Sequence, residues 1–205
     1  MNDRKNMIHD AGILFLITLI AGLLLGLVYE VTKEPIARQE EAAKIAAYQA
    51  VFEDAAEFTP LDLSDKQSGA DAVAGQYPKA VIDEVMVAKD ASGSTLGYVV
   101  TATSKSAYDG SLQLSVGIRQ DGTVNGISFQ SLTESAGLGM EADTDWKNQY
   151  ADKNVESFAV TKVGAVQPNE IDAISGATIT SKAVTEAVNA SLLYFRESLG
   201  GGVNE

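Results

Sequence analysis

With 205 residues and a formal charge of -13, from 28 acidic against 15 basic side chains, the chain has room for one membrane anchor and one domain with a core, not two. Cysteine is absent and His9, in the tail before the anchor, is the only histidine, which removes the ligands for thiolate-bound iron–sulfur clusters, structural zinc sites and His- or Cys-ligated haem, and rules out a Ser-His-Asp or Cys-His nucleophile in the domain. The first 30 residues hold Arg4 and Lys5 against Asp3, Asp10 and Glu30, so the acidity belongs to the rest, which shows no basic patch for nucleic acid.

After a tail over 1–10, residues 11–28 (AGILFLITLIAGLLLGLV) run without a charge. As a helix they span roughly 27 Å, enough to cross a bilayer. Arg4 and Lys5 resemble the start of a cleaved signal peptide, but no A-x-A-like site follows, and the length favours an uncleaved anchor. Arg4 and Lys5 on one side face Lys33, Arg38 and Lys44 on the other, so charge alone does not orient the anchor. Gly22 and Gly26 have the G-x-x-x-G spacing that lets helices approach closely, a spacing also common in membrane helices without a partner.

Residues 29–79 read as a helical linker and loop. After Pro35, the spacing of Ile36, Ala43, Ile45, Ala46, Tyr48, Val51 and Phe52 predicts a helix over 36–58. The polar segment 60–76, with Ser64, Ser68 and Gly69, reads as loop. From 80 to 130 the runs VIDEVMVAK, LGYVVTAT, LQLSVGI and TVNGISF, separated by DASGS, SAYDGS and RQDG, predict an antiparallel sheet. Gln120-Asp121-Gly122 supplies a hairpin turn. Residues 132–139 are glycine-rich loop, followed by a short helix around 143–150 with Asp143 or Thr144 as N-cap. Val184, Ala187, Val188, Leu192, Phe195 and Leu199 then give one apolar face, so 179–199 is a helix packed on the sheet. Gly200, Gly201 and Gly202 end it and leave a tail over 200–205. The fold class is α+β: an N-terminal transmembrane helix and linker helix, then an antiparallel sheet packed with helices over 80–199.

Just before the last helix stands Asp172-Ala173-Ile174-Ser175-Gly176-Ala177-Thr178, followed by Ile179-Thr180-Ser181. Small residues feeding a helix N-terminus leave free N–H groups and a dipole end that favour a phosphate. Gly176 and Ala177 leave the Thr178 hydroxyl open to an enzyme. Against this, Ser175, Thr178, Thr180 and Ser181 are all residues that a helix start uses as N-caps, and capping accounts for every hydroxyl there.

The segment resembles the D-x-x-[ST]-G-A-[ST] pattern of the FMN-binding domain family, in which a flavin transferase esterifies the FMN phosphate to the last hydroxyl. Asp172, Ser175, Gly176 and Ala177 fill the pattern, and the resemblance makes Thr178 the site of a covalent phosphoester. Residues 133–139 (TESAGLG) are similar to the family's E-T-P-G-L-G loop near the flavin. Glu134, Gly137, Leu138 and Gly139 fit, whereas Ser135 and Ala136 depart, and losing proline at 136 frees a fixed φ. Residues 97–129 resemble the family's strand pair, with Tyr108 and Gly110 at its glycine-rich turn. The likeness covers 80–195. With the anchor it is nearest to the G subunit of Rnf-type ion-translocating oxidoreductases, and the C subunit of the sodium-pumping NADH:quinone oxidoreductase is similar in layout.

That resemblance implies an electron-transfer subunit carrying covalent FMN, with its N-terminus cytoplasmic and its main domain outside. It implies other membrane subunits as partners and a flavin transferase for maturation, and it calls for no metal and no catalytic acid or base. One uncharged helix offers no ion path, so translocation falls to the partners. Two other readings stand beside it. One is a separate membrane-tethered flavoprotein feeding an extracellular reductase. The other is a cofactor-free anchored binding module whose Ser-Gly-Ala-Thr loop only caps a helix. Lys182 and Trp146 read equally as flavin contacts or as an exposed cation and a core aromatic.

Overall fold

The computed structural model describes residues 2–63 and 67–200. In chain order the elements are α1 (Asn2–Val51), β1 (Glu57–Pro60), α2 (Gln67–Gln76), β2 (Ala80–Lys89), β3 (Thr95–Ala107), β4 (Gly110–Arg119) and β5 (Val124–Leu132). Two 3₁₀ turns (Gly139–Asp143 and Asp145–Tyr150), β6 (Ala159–Thr161), β7 (Glu170–Asp172) and α3 (Thr178–Ser198) follow. The chain divides into two units, Met1–Ala43 and Lys44–Glu205.

In the first unit the apolar side chains of α1, Leu14, Phe15, Leu23, Leu24 and Leu25 among them, are exposed. It is the one helix among the described residues long and apolar enough to cross a membrane. Thr18 and Thr32 satisfy their hydroxyls internally, donating to the carbonyls of Leu14 (3.0 Å) and Val28 (2.8 Å). Pro35 sits inside the helix and, lacking an N–H, leaves the Val31 carbonyl without its usual donor.

In the second unit β1 to β5 form one antiparallel sheet in sequence order. Both faces of its central strands are covered, which is why Val99, Val100, Thr101 and Ala102 are all buried instead of alternating. On one face Val85, Val100, Leu114, Val116 and Ile118 join Val184, Ala187, Val188, Leu192 and Phe195 of α3 in the main core. On the other, Ala88 and Val99 pack with Tyr48, Val51 and Phe52 from the end of α1 and just beyond it. Gly117 makes this approach possible, since a Cβ there would lie 2.9 Å from Val51 Cβ.

The same face carries a polar clamp. The Tyr48 hydroxyl donates to Glu84 Oε1, and Lys44 Nζ donates to Glu84 Oε2 at 3.1 Å. Burial works to raise the Glu84 pKa, but the hydrogen bonds from Tyr48 and Lys44 and the Lys44 charge outweigh it, so the carboxyl lies below its ordinary value. Burial and the Glu84 carboxylate together push the Tyr48 phenol up.

Two local expectations are corrected, and one element is added. The helix expected over 36–58 stops at Val51, and Glu57–Pro60 instead joins the sheet edge beside β2, with Pro60 at the strand end where a missing N–H is tolerated. The segment 60–76, expected as loop, contains α2, whose Val73 is buried and whose Gly69 N–H donates to Ser198 Oγ at 2.9 Å. A pair of three-residue parallel strands, β6 and β7, was not signalled by any alternation. The short helix near 143–150 is present as the second 3₁₀ turn, with Thr144 capping it by accepting from the Trp146 N–H. Ser64, Gly201, Gly202 and the rest of the tail beyond Gly200 lie outside the described residues.

Candidate functional site

Thr178 is the first residue of α3, and the N-cap position falls on Ala177, which makes no side-chain cap. The neighbouring hydroxyls are engaged elsewhere. Ser181 Oγ accepts from the Ile174 N–H at 2.9 Å and donates to the Ala177 carbonyl at 3.0 Å, folding the loop back onto the helix. Thr180 Oγ1 donates to Glu134 Oε2 at 2.9 Å. The N-cap account of these hydroxyls therefore fails here: none of them caps α3. A helix without a side-chain cap presents its first N–H groups and the positive end of its dipole outward.

Glu134 holds the site together. Besides Thr180, its carboxylate accepts the backbone N–H groups of Tyr108 (2.9 Å) and Asp109 (3.3 Å) through Oε1. One side chain thus ties the β3–β4 turn, the loop after β5 and the first turn of α3. Gly139 is packed so tightly against this junction that a Cβ would lie 2.6 Å from the Glu134 carboxylate and 2.9 Å from Thr180 Oγ1. Gly176 has φ +77, and its bare Cα lets Leu138 lie against the loop.

These three segments enclose a cleft of about 330 Å³. Tyr108 enters from the β3–β4 turn; Glu134, Ser135, Leu138 and Gly139 from the loop after β5; and Gly176, Ala177, Thr178, Ile179 and Thr180 from the start of α3. Tyr108 (68 % exposed), Ile179 (52 %) and Leu138 (44 %) offer apolar surface to solvent around it. Thr178 is half-buried in its wall.

The remaining residues singled out in the sequence lie nearby but outside this lining. Ser175 is exposed beside Gly176, and Gly137 holds the preceding turn at φ +72. Asp172 ends β7 with its carboxylate turned to the preceding loop, where Oδ1 accepts the Ala165 N–H at 2.6 Å. Its carbonyl accepts Trp146 Nε1 at 2.6 Å. Trp146 is thereby fixed beneath the loop and packs edge-on to Tyr150. Lys182 lines a separate groove. Nothing in the sequence marks Thr180 and Ile179 as lining this cleft. Only the three-dimensional pairing of Thr180 with Glu134, 46 residues away, distinguishes it from a capping hydroxyl.

Residues 107–193 match the FMN-binding domain family, and residues 1–51 match the RnfG N-terminal region. The chain is 34% identical over 196 residues to the G subunit of the Na(+)-translocating ferredoxin:NAD(+) oxidoreductase complex of Acetobacterium woodii, covering 95% of this chain and 94% of that protein. It is 31% identical to the G subunit of the ion-translocating oxidoreductase complex of Methanosarcina acetivorans, covering 95% and 97%. The fold is shared with Shewanella oneidensis NqrC (TM-score 0.52, 16% identity, 73% of this chain and 85% of that one). It is shared equally with the C subunit of the Na(+)-translocating NADH-quinone reductase of Parabacteroides distasonis (TM-score 0.52, 23% identity, 72% and 79%). The anchor-like helix, the sheet with its loop-built cleft and the full-length likeness lead to one assignment: the chain belongs to the G-subunit family of ion-translocating oxidoreductase complexes and carries that family's FMN-binding domain.

Proposed function

We propose that this protein is an electron-transfer subunit of a membrane-bound, ion-translocating oxidoreductase complex, and that it carries FMN esterified through its phosphate to Thr178 Oγ1. The observation that carries the reading is Thr178, which lines a cleft at the uncapped start of a helix. The residues fit the group on three counts. The uncapped N-terminus suits a phosphate. The exposed Tyr108, Leu138 and Ile179 suit a flat aromatic system. The cleft volume lies at the small end of the usual range for bound cofactors, roughly 300–1,000 Å³.

Bound FMN supplies the redox chemistry, and the chain attaches it, orients it and sets its electrostatic surroundings. Glu134 and Gly139 hold the cleft's shape, with the carboxylate already committed to three donors. Asp172 of the motif and Gly137 support the loops from outside the lining, and Ser175 stands exposed beside Gly176. The helix α1 anchors the protein with its N-terminus in the cytoplasm and the second unit outside. Maturation requires a flavin transferase to reach Thr178, and the neighbouring membrane subunits carry the ion path.

The test is intact mass and peptide mapping of protein made in a host that supplies a flavin transferase. The Thr178 peptide is expected to gain the mass of FMN less water, Thr178→Ser to keep the modification and Thr178→Ala to lose it along with the yellow colour. Unmodified wild-type protein from that host defeats the attachment. Gentle solubilisation of the same membranes should bring several polytopic subunits with the protein; isolation as a lone flavoprotein favours a separate membrane-tethered carrier instead.

A further inference from the structure

Beyond the first cleft, on the other side of Ile179, α3 forms one wall of a second groove of about 470 Å³. Ile179 lines both, so it is the ridge between them. Tyr77, just past α2, and Val160 of β6 also line the groove, and Lys182 and Glu186 stand along its α3 wall. Of all the residues lining the two hollows, Lys182 is the one cation.

Three features make that position informative. Lys182 follows Thr178 by four residues, which places the two side chains on one side of α3, with Cβ atoms about 5–6 Å apart. Side chains on a helix lean towards its N-terminus, so the lysine stem points back at the turn that bears Thr178 and Ile179. Finally, Glu186, the carboxylate at the next turn, does not pair with it: its Oε2 accepts from Ser104 Oγ at 2.9 Å. Among the described residues Lys182 forms no ion pair.

Resting on the attachment proposed above, we infer that Lys182 is the residue that sets the electrostatics of the tethered flavin, favouring its reduced state. A phosphodiester at Thr178 adds one negative charge to a chain already at -13, and reduction adds more. A cation one turn away offsets both, and fixed charge close to a flavin ring tunes its reduction equilibrium. Lys182 acts by position and charge, and transfers neither electron nor proton.

The experiment is a redox titration of full-length, flavin-loaded protein in detergent, comparing wild type with Lys182→Gln, Lys182→Arg and Lys89→Gln. Lys89 ends β2, at the end of the sheet away from the β3–β4 turn, and controls for net charge alone. Lys182→Gln is expected to make reduction about tenfold less favourable, a lowering of about 30 mV for a two-electron couple. The difference should shrink as ionic strength rises. Lys182→Arg should restore the wild-type value, and Lys89→Gln should move it far less. An unchanged potential in Lys182→Gln, or an equal shift in Lys89→Gln, overturns the inference. Peptide mass on every sample keeps the two readings apart: wild type without flavin on Thr178 defeats the attachment, and the inference with it, whereas full loading with no shift defeats this inference alone.

Discussion

Because Glu134 Oε2 is the acceptor for the hydroxyl of Thr180, a residue only 1 % exposed, its removal leaves that hydroxyl without its protein partner. An unsatisfied buried group costs about 1–3 kcal/mol, so Glu134→Ala should lose stability in that range. Thr180→Val removes the donor and keeps the shape, leaving Glu134 its two backbone partners, and should cost nearer 1 kcal/mol. Urea unfolding of the two variants checks the order, and equal losses would mean that Glu134 is not the hub of the site. At this scale the sequence marks which residues to group and says little about where their side chains turn. Thr178, Gly176, Ala177, Glu134, Leu138 and Gly139 do line one cleft. Asp172 shows what a linear motif omits: its carboxylate turns to Ala165, in a loop between β6 and β7 that has no periodic pattern to read. The carboxylate of Glu170 works on the same loop, accepting the N–H groups of Gln167 and Val166, and those bonds hold its pKa down.

Among the elements, the end of α1 is fixed to the sheet by chemistry that depends on pH. Glu84 has a folded-state pKa below its ordinary value, so it adds stability above the normal glutamate range, and that contribution fades as pH falls through the lowered pKa. Thermal unfolding from pH 7 down to 3 should show Glu84→Gln losing its deficit relative to wild type as the pH drops. A deficit that stays constant would place the clamp's contribution outside ionisation. The sheet and α3 were legible because their patterns are long: β-branched runs with turn dipeptides, and apolar residues at spacings of three and four. Helix α2 was not, since a ten-residue stretch of small and polar residues is held by tertiary contact, with Val73 in the core and Gly69 under Ser198. β1 was missed for a similar reason. Four residues ending in proline carry no alternation, and only pairing with Thr59↔Val87 and its neighbours makes them a strand.

For the whole molecule, the unit boundary between Ala43 and Lys44 has an experimental counterpart. Among the described residues the buried hydrophobic ones begin at Ala47, so deleting residues 1–43 removes none of these and should leave a domain that unfolds cooperatively on heating. Deleting residues 1–52 strips Tyr48, Val51 and Phe52 from the sheet's second face. At roughly 1.5–3 kcal/mol for each large apolar side chain, that loss rivals the total stability of an ordinary domain, about 5–15 kcal/mol. The shorter fragment should therefore aggregate or melt without a clear transition, and a cooperative melt would show that the second face is dispensable. The depth at which α3 is set in this domain bears on transfer between centres. Most of its 21 residues are buried, and Thr178 is the first of them in sequence. Electron tunnelling falls off exponentially with distance, so a carrier is only as reproducible as its anchorage. With FMN esterified to Thr178 as proposed, its swing would be confined to the length of its own linker, and the spread of tunnelling distances would be set by that arc and by how the domain meets its neighbours.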